Sequence, residues 1–146
     1  GFGLATPHQN SYGSREHGRD WTGNSTYLWA IAGAVYMSLL GPEGFRELGA
    51  LIAARARYAQ SLLAGVPGVR IVWPATGFKE FVVNFDATGR SVAEINDALR
   101  DRGIFGGKDV SDEGLGLGQS ALWCVTEVHT AADIRRAVTA LREVLQ

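Results

Sequence analysis

One stretch of this sequence gathers side chains able to do chemistry. Arg15-Glu16-His17-Gly18-Arg19-Asp20-Trp21-Thr22 sets guanidiniums, an imidazole, carboxylates, an indole and a hydroxyl side by side between glycines. Two readings of it stay open. It is a solvated or interface loop held by ion pairs, each worth little on an exposed surface. Or it is the anion-contacting edge of an active site shared with another domain. In that case Arg15, His17, Arg19 and Thr22 contact a substrate or anion, arginine forks and hydroxyls being suited to carboxylate and phosphate oxygens.

The other reactive residue types are weaker candidates. His8, His17 and His129 are scattered, and no two of them share an element with Cys124 at metal-ligand spacing, so no metal site is expected. Cys124 falls in a strand-like run with His129 five residues on. A nucleophilic thiol needs a depressed pKa and a base, and a buried structural cysteine is the simpler expectation. Gly114-Leu115-Gly116-Leu117-Gly118 suggests a phosphate-binding loop, but a strand comes after it where a helix N-terminus would be needed. Gly106-Gly107-Lys108 lacks the rest of a P-loop, and Ser11, Ser14, Ser25 and Ser38 lack a nucleophile-elbow setting.

These residues must be positioned by the elements of a 146-residue, 15.7 kDa chain, a length suited to one ordinary domain. At 46% hydrophobic and 20% charged residues the composition is globular. The formal net charge of -1, without a basic stripe, excludes nucleic acid and anionic membrane as expected partners. One cysteine excludes an internal disulfide and fits a reducing compartment, so a cytoplasmic location is expected. No run approaches the roughly 20 apolar residues of a membrane span. The sequence opens on Gly1 with neither a start methionine nor an export signal, and reads as a piece of something longer.

Residues 1–23 carry Gly1, Gly3, Gly13, Gly18 and Gly23 with Pro7 and no apolar period, which predicts an extended N-terminal segment. Residues 24–146 then form the domain. Asn24-Ser25-Thr26 offers N-caps for a helix to Leu40. Trp29, Ile31 and Tyr36 join Leu28, Ala32, Val35 and Leu39 to make that helix apolar on every side, so it is expected to be buried. Gly41-Pro42 stops it and starts a second helix running to Ala64, with the stripe Phe45, Leu48, Ile52, Ala56, Ala59 and Leu63. The period then falls to two through Val69, Ile71 and Trp73, and again through Phe81, Val83 and Phe85, predicting two strands. Ser91-Val92-Ala93-Glu94 is a capping box for a helix ending near Arg102-Gly103. A short strand at Ile104-Phe105, a strand over 121–126 and a last helix capped at Thr130-Ala131-Ala132-Asp133 complete the order. The pattern predicts an α+β fold: a small, mostly antiparallel sheet with helices packed on one face.

Several pieces, in order, resemble the C-terminal portion of subunit 1 of the decarboxylating glycine dehydrogenase family, the P protein of the glycine cleavage system. They are Ala34-Val35-Tyr36, Leu39-Leu40-Gly41-Pro42-Glu43-Gly44, Arg46-Glu47-Leu48, Glu80-Phe81-Val82-Val83, Arg102-Gly103-Ile104 with Gly106-Gly107, and Cys124-Val125-Thr126-Glu127. The resemblance implies the small C-terminal domain of a fold-type I pyridoxal-phosphate enzyme, whose large domain is the missing partner. It implies pyridoxal 5'-phosphate in the complete enzyme and no covalent cofactor on this chain, because neither Lys79 nor Lys108 matches a cofactor-lysine motif. It also implies glycine dehydrogenase subunit 2 and the lipoyl H protein as partners, with the isolated chain inactive; without the large domain the apolar first helix exposes a sticky face, so the chain is expected to self-associate. The alternatives are a small domain of an aminotransferase-like enzyme, or a stand-alone α+β interaction or ligand-binding domain. The chain departs from the family where Lys-Ala-Thr-Ser-Asn-Ile-Cys-Thr usually comes after Arg-Glu; here His17-Gly18-Arg19-Asp20-Trp21-Thr22-Gly23-Asn24 stands in its place. That departure falls on the suspected anion-contacting loop and bears on the substrate.

Overall fold

A computed structural model describes residues 27–74 and 77–146. They fall into two compact units that meet at Phe45 and Arg46, inside one long helical stretch, α1 (Tyr27–Leu63). The expected two-helix break is present. Gly41 sits at φ 60, ψ -180 in the middle of α1, with Pro42 next to it. Only glycine enters that region without strain, and proline suits the first turn of the second helix. In the first unit the rings of Tyr36 and Phe45 meet edge to face, with centroids 6.4 Å apart. Otherwise the apolar helix is not buried as its composition suggests: Trp29 and Leu39 are each 81% exposed, and Tyr27, Leu28, Ile31, Val35 and Met37 are exposed too. Burial of such a helix requires a second surface, and the described residues of its own unit offer none. The caps at Asn24-Ser25-Thr26 lie outside the described residues.

The second unit holds β1 (Arg70–Ile71), β2 (Glu80–Asn84), a 3-10 turn (Asp86–Thr88), α2 (Val92–Arg100), β3 (Lys108–Asp109), β4 (Ser120–Cys124) and α3 (Ala131–Val144). The strands pair antiparallel in the order β1-β2-β4-β3, so the two longer strands lie at the centre. Phe81 faces Trp123 and Val83 faces Ala121 across the central pair. All four are buried on one face with Ala56, Ala59 and Leu63 of α1, Ile95 and Leu99 of α2, and Ile134, Val138 and Leu141 of α3. This is the expected α+β arrangement of helices on one face of a small antiparallel sheet.

Both capping boxes form. The Ser91 hydroxyl accepts from the Glu94 N–H while Glu94 takes the Ser91 N–H, and Thr130 and Asp133 do the same for α3. The strand expected at Ile104-Phe105 does not form. Gly103, at φ 69, donates to the Arg100 carbonyl and Ile104 to the Leu99 carbonyl, closing α2 with a Schellman motif. Ile104 then packs in the core against the helix it terminates, Phe105 is 91% exposed, and the ladder begins at Lys108.

Candidate functional site

The residues singled out as anion contacts, Arg15, His17, Arg19 and Thr22, lie outside the described residues. Cys124 corrects the sequence reading. It is exposed, because β4 sends Trp123 and Val125 into the core and leaves Cys124 on the other face, opposite Glu80. His129, by contrast, lies near it. The Thr126 backbone N–H donates to His129 Nδ1 at 3.0 Å. An imidazole nitrogen that accepts carries no proton, so in the neutral ring the proton sits on Nε2.

Cys124 and His129 line a cavity of about 620 Å³ together with Asn96, Arg100, Phe105 and Lys108, on a floor of Ile104, Leu122 and Trp123. The local sequence builds it through two glycines. A Cβ on Gly106 would fall 2.3 Å from Asn96 Oδ1, and one on Gly107 would fall 2.6 Å from the Leu122 carbonyl and 2.8 Å from Trp123 Cδ1. The backbone therefore lies directly on the Asn96 amide and the indole edge, and Asn96 Nδ2 donates to the Gly107 carbonyl at 3.0 Å. Asn96 Oδ1 and Trp123 Nε1 are shielded and have no hydrogen-bond partner among the described residues. Sequence reasoning passed over this site, since Gly106-Gly107 looked like an incomplete P-loop. The available signal was adjacent glycines next to a chain reversal, a mark of close backbone approach.

A second polar cluster sits at the other end of the central strand pair, where Asn84 faces Ser120. Buried Asn84 donates through Nδ2 to Asp86 Oδ2 at 2.9 Å and to the Leu117 carbonyl at 2.9 Å. The Gln119 N–H donates to Asp86 Oδ1 at 2.7 Å, and the Ser120 hydroxyl donates to the Leu117 carbonyl at 2.6 Å. The Asn84 amide, then the Gln119 N–H, holds the Asp86 carboxyl below its ordinary value of 3.8. This cluster is satisfied within itself and fastens the glycine-rich loop 114–118 to the sheet.

Both lysines lie on the surface of the described residues. Lys108 is exposed and bonded to Glu113 at 2.6 Å, and Lys79 is exposed just before β2. Among the described residues no cluster of histidine, cysteine and carboxylates could hold a metal ion, and no helix is long and apolar enough to cross a membrane.

No protein-family model matches the chain. It is 36% identical over 118 residues to a "probable glycine dehydrogenase (decarboxylating) subunit 1" of Staphylothermus marinus, covering 81% of this chain and 25% of that protein. A protein of the same name from Saccharolobus solfataricus is 34% identical over 146 residues, 100% of this chain and 30% of its own length. Among solved structures, the glycine decarboxylase (P-protein) of the glycine cleavage system, in inhibitor-bound form, superposes with a TM-score of 0.74 at 32% identity, over 92% of this chain and 30% of that one. The sphingosine-1-phosphate lyase of Burkholderia pseudomallei shares the fold at 20% identity, with a TM-score of 0.61 over 75% of this chain. The chain thus spans less than a third of the length of the relatives it matches. Along nearly its whole length, the chain is a homologue of one part of glycine dehydrogenase (decarboxylating) subunit 1, and it has the fold of that part in the P-protein.

Proposed function

We propose that this chain serves as the small C-terminal domain of a subunit 1-type P protein, contributing to glycine decarboxylation by completing a larger assembly. The observation that carries this reading is the match to the P-protein structure over 92% of this chain but only 30% of that one. In this reading residues 24–146 are the domain, residues 1–23 are an extended segment against the rest of the protein, and the location is cytoplasmic. Pyridoxal phosphate is held elsewhere in the complete enzyme, supplying the electron sink for loss of the glycine carboxylate. Subunit 2 and the lipoyl H protein are the partners. The exposed settings of Lys79 and Lys108 support the view that this chain does not hold the cofactor. Arg15, His17, Arg19 and Thr22 supply an anion-contacting edge to the shared site.

The test joins two measurements. Purified chain is mixed with pyridoxal phosphate, reduced with borohydride and examined by mass spectrometry, and release of labelled carbon dioxide from glycine is measured separately. The expected results are no lysine labelled above an unstructured lysine peptide and no carbon dioxide. A second preparation adds the remainder of the parent protein, subunit 2 and H protein, and deleting residues 24–146 from it should abolish activity. Turnover by the chain alone, or full activity without it, overturns the reading.

A further inference from the structure

We propose that the cavity beneath Gly106–Gly107 is a binding site for a small aromatic carboxylate. The inference does not depend on a role in glycine decarboxylation. It rests on a lining that joins cations to apolar side chains and holds no carboxylate among the described residues.

The lining is rich in donors. Arg100 and Lys108 stand at the rim, and His129, whose Nδ1 accepts from the Thr126 N–H, presents its Nε2. Trp123 beneath them is only 7% exposed, and its shielded Nε1–H has no acceptor among the described residues. Among the described residues no carboxylate lines this cavity. Asp97 holds Arg100 at 2.8 Å and Glu113 holds Lys108 at 2.6 Å, both in solvent-exposed ion pairs that exchange readily for another anion. The cavity therefore favours negative charge.

Its walls choose the rest of the ligand. Ile104, Leu122 and the indole of Trp123 give an apolar floor, and the exposed Phe105 ring forms a lip shared with a smaller adjoining cavity of about 200 Å³ that runs toward Ile134 and Val138. A fully hydrated inorganic anion gains nothing from such walls. A flat ring gains both apolar contact and stacking. The chemical class is thus a planar aromatic body with one carboxylate.

The experiment uses indole-3-acetate as the probe on the ¹⁵N-labelled chain. Its neutral carboxamide and acetate serve as controls. The amides of Gly106 and Gly107 and the Trp123 indole N–H are monitored by NMR. Indole-3-acetate is expected to shift these three signals saturably. The carboxamide and acetate should each bind at least about tenfold more weakly, the effect of one charge-assisted contact or of the ring. Lys108→Gln and, separately, Arg100→Gln should weaken binding by a similar factor while leaving the thermal unfolding midpoint in place. No saturable shift, shifts confined to other residues, equal binding of the carboxamide, or affinity unchanged in both variants would each overturn the proposal.

Discussion

The Asp86 carboxylate accepts the backbone N–H of Gln119 at 2.7 Å, pinning the end of a glycine-rich loop to the turn after the central strand. The Gln119 side chain continues the chain of contacts, its Oε1 accepting the Val92 N–H at the first residue of α2. One carboxylate thus connects β2, the loop and the start of a helix. The fit is close. A Cβ on Gly118, itself at φ +62, would lie 2.4 Å from Asp86 Oδ2.

Gly118→Ala is therefore expected to destabilise the chain by about 3 kcal/mol, combining left-handed backbone strain with loss of the Asp86 clasp. Gly116→Ala is the control. Its φ is +65 but its Cβ would meet open space, so it should cost only about 1 kcal/mol. Urea unfolding of both variants measures the difference, and equal midpoints would dismiss the clasp.

Stability should fall at acid pH through three carboxyls. Asp86 is held below 3.8 first by the Asn84 amide and then by the Gln119 N–H. Glu94 is held below 4.5 by the Ser91 N–H and hydroxyl, and Asp133 below 3.8 by the Thr130 hydroxyl and N–H. A carboxyl whose folded value is depressed binds its proton more readily when the chain unfolds. Its contribution is complete above the unfolded value and disappears as pH falls through the folded one. The urea midpoint should stay level down to about pH 5 and then decline. Asp133→Asn should make that decline shallower, and an unchanged slope would remove Asp133 from the account.

The caps themselves are testable at neutral pH. Thr130→Ala and Ser91→Ala should each cost about 1 kcal/mol, since each leaves the N3 backbone N–H without its side-chain acceptor. Thr130→Ser, which keeps the hydroxyl, should recover most of the loss in a thermal melt.

The exposed helix of the first unit should drive self-association. Trp29 and Leu39, each 81% exposed, are among the largest apolar surfaces it offers to water, and patches of this kind mark interaction surfaces. Leu28→Glu combined with Leu39→Glu should reduce the sedimenting mass at high concentration, with the thermal unfolding midpoint of the second unit unchanged. A wild-type chain that already sediments as a monomer would contradict this.

Much of the fold was legible because local signals agree with one another. Ser91 with Glu94, Thr130 with Asp133, and Gly41 with Pro42 are short-range devices whose geometry involves only neighbouring residues, and each forms as the sequence suggests. The alternation at Phe81, Val83 and Phe85 likewise places these side chains in the core. Where the reading failed, a neighbour elsewhere in the chain or the geometry of the strand competed with it. Ile104 looked like a strand residue, but its N–H was needed to close α2. Cys124, in a strand-like run, was expected to be buried, yet strand alternation turns it outward.

The candidate sites divide along the same line. Composition and spacing alone determined the fold class, the caps and the helix break, because propensity and periodicity operate over a few residues. Only the tertiary structure decided that Asn96, Gly106, Gly107, Trp123 and His129 surround one cavity, and that Trp123 Nε1 has no acceptor there among the described residues. These residues come from a helix, a loop, a strand and a turn. Their meeting depends on how α2 ends and how β4 pairs, and those long-range contacts are encoded by the whole core, with no single motif specifying them.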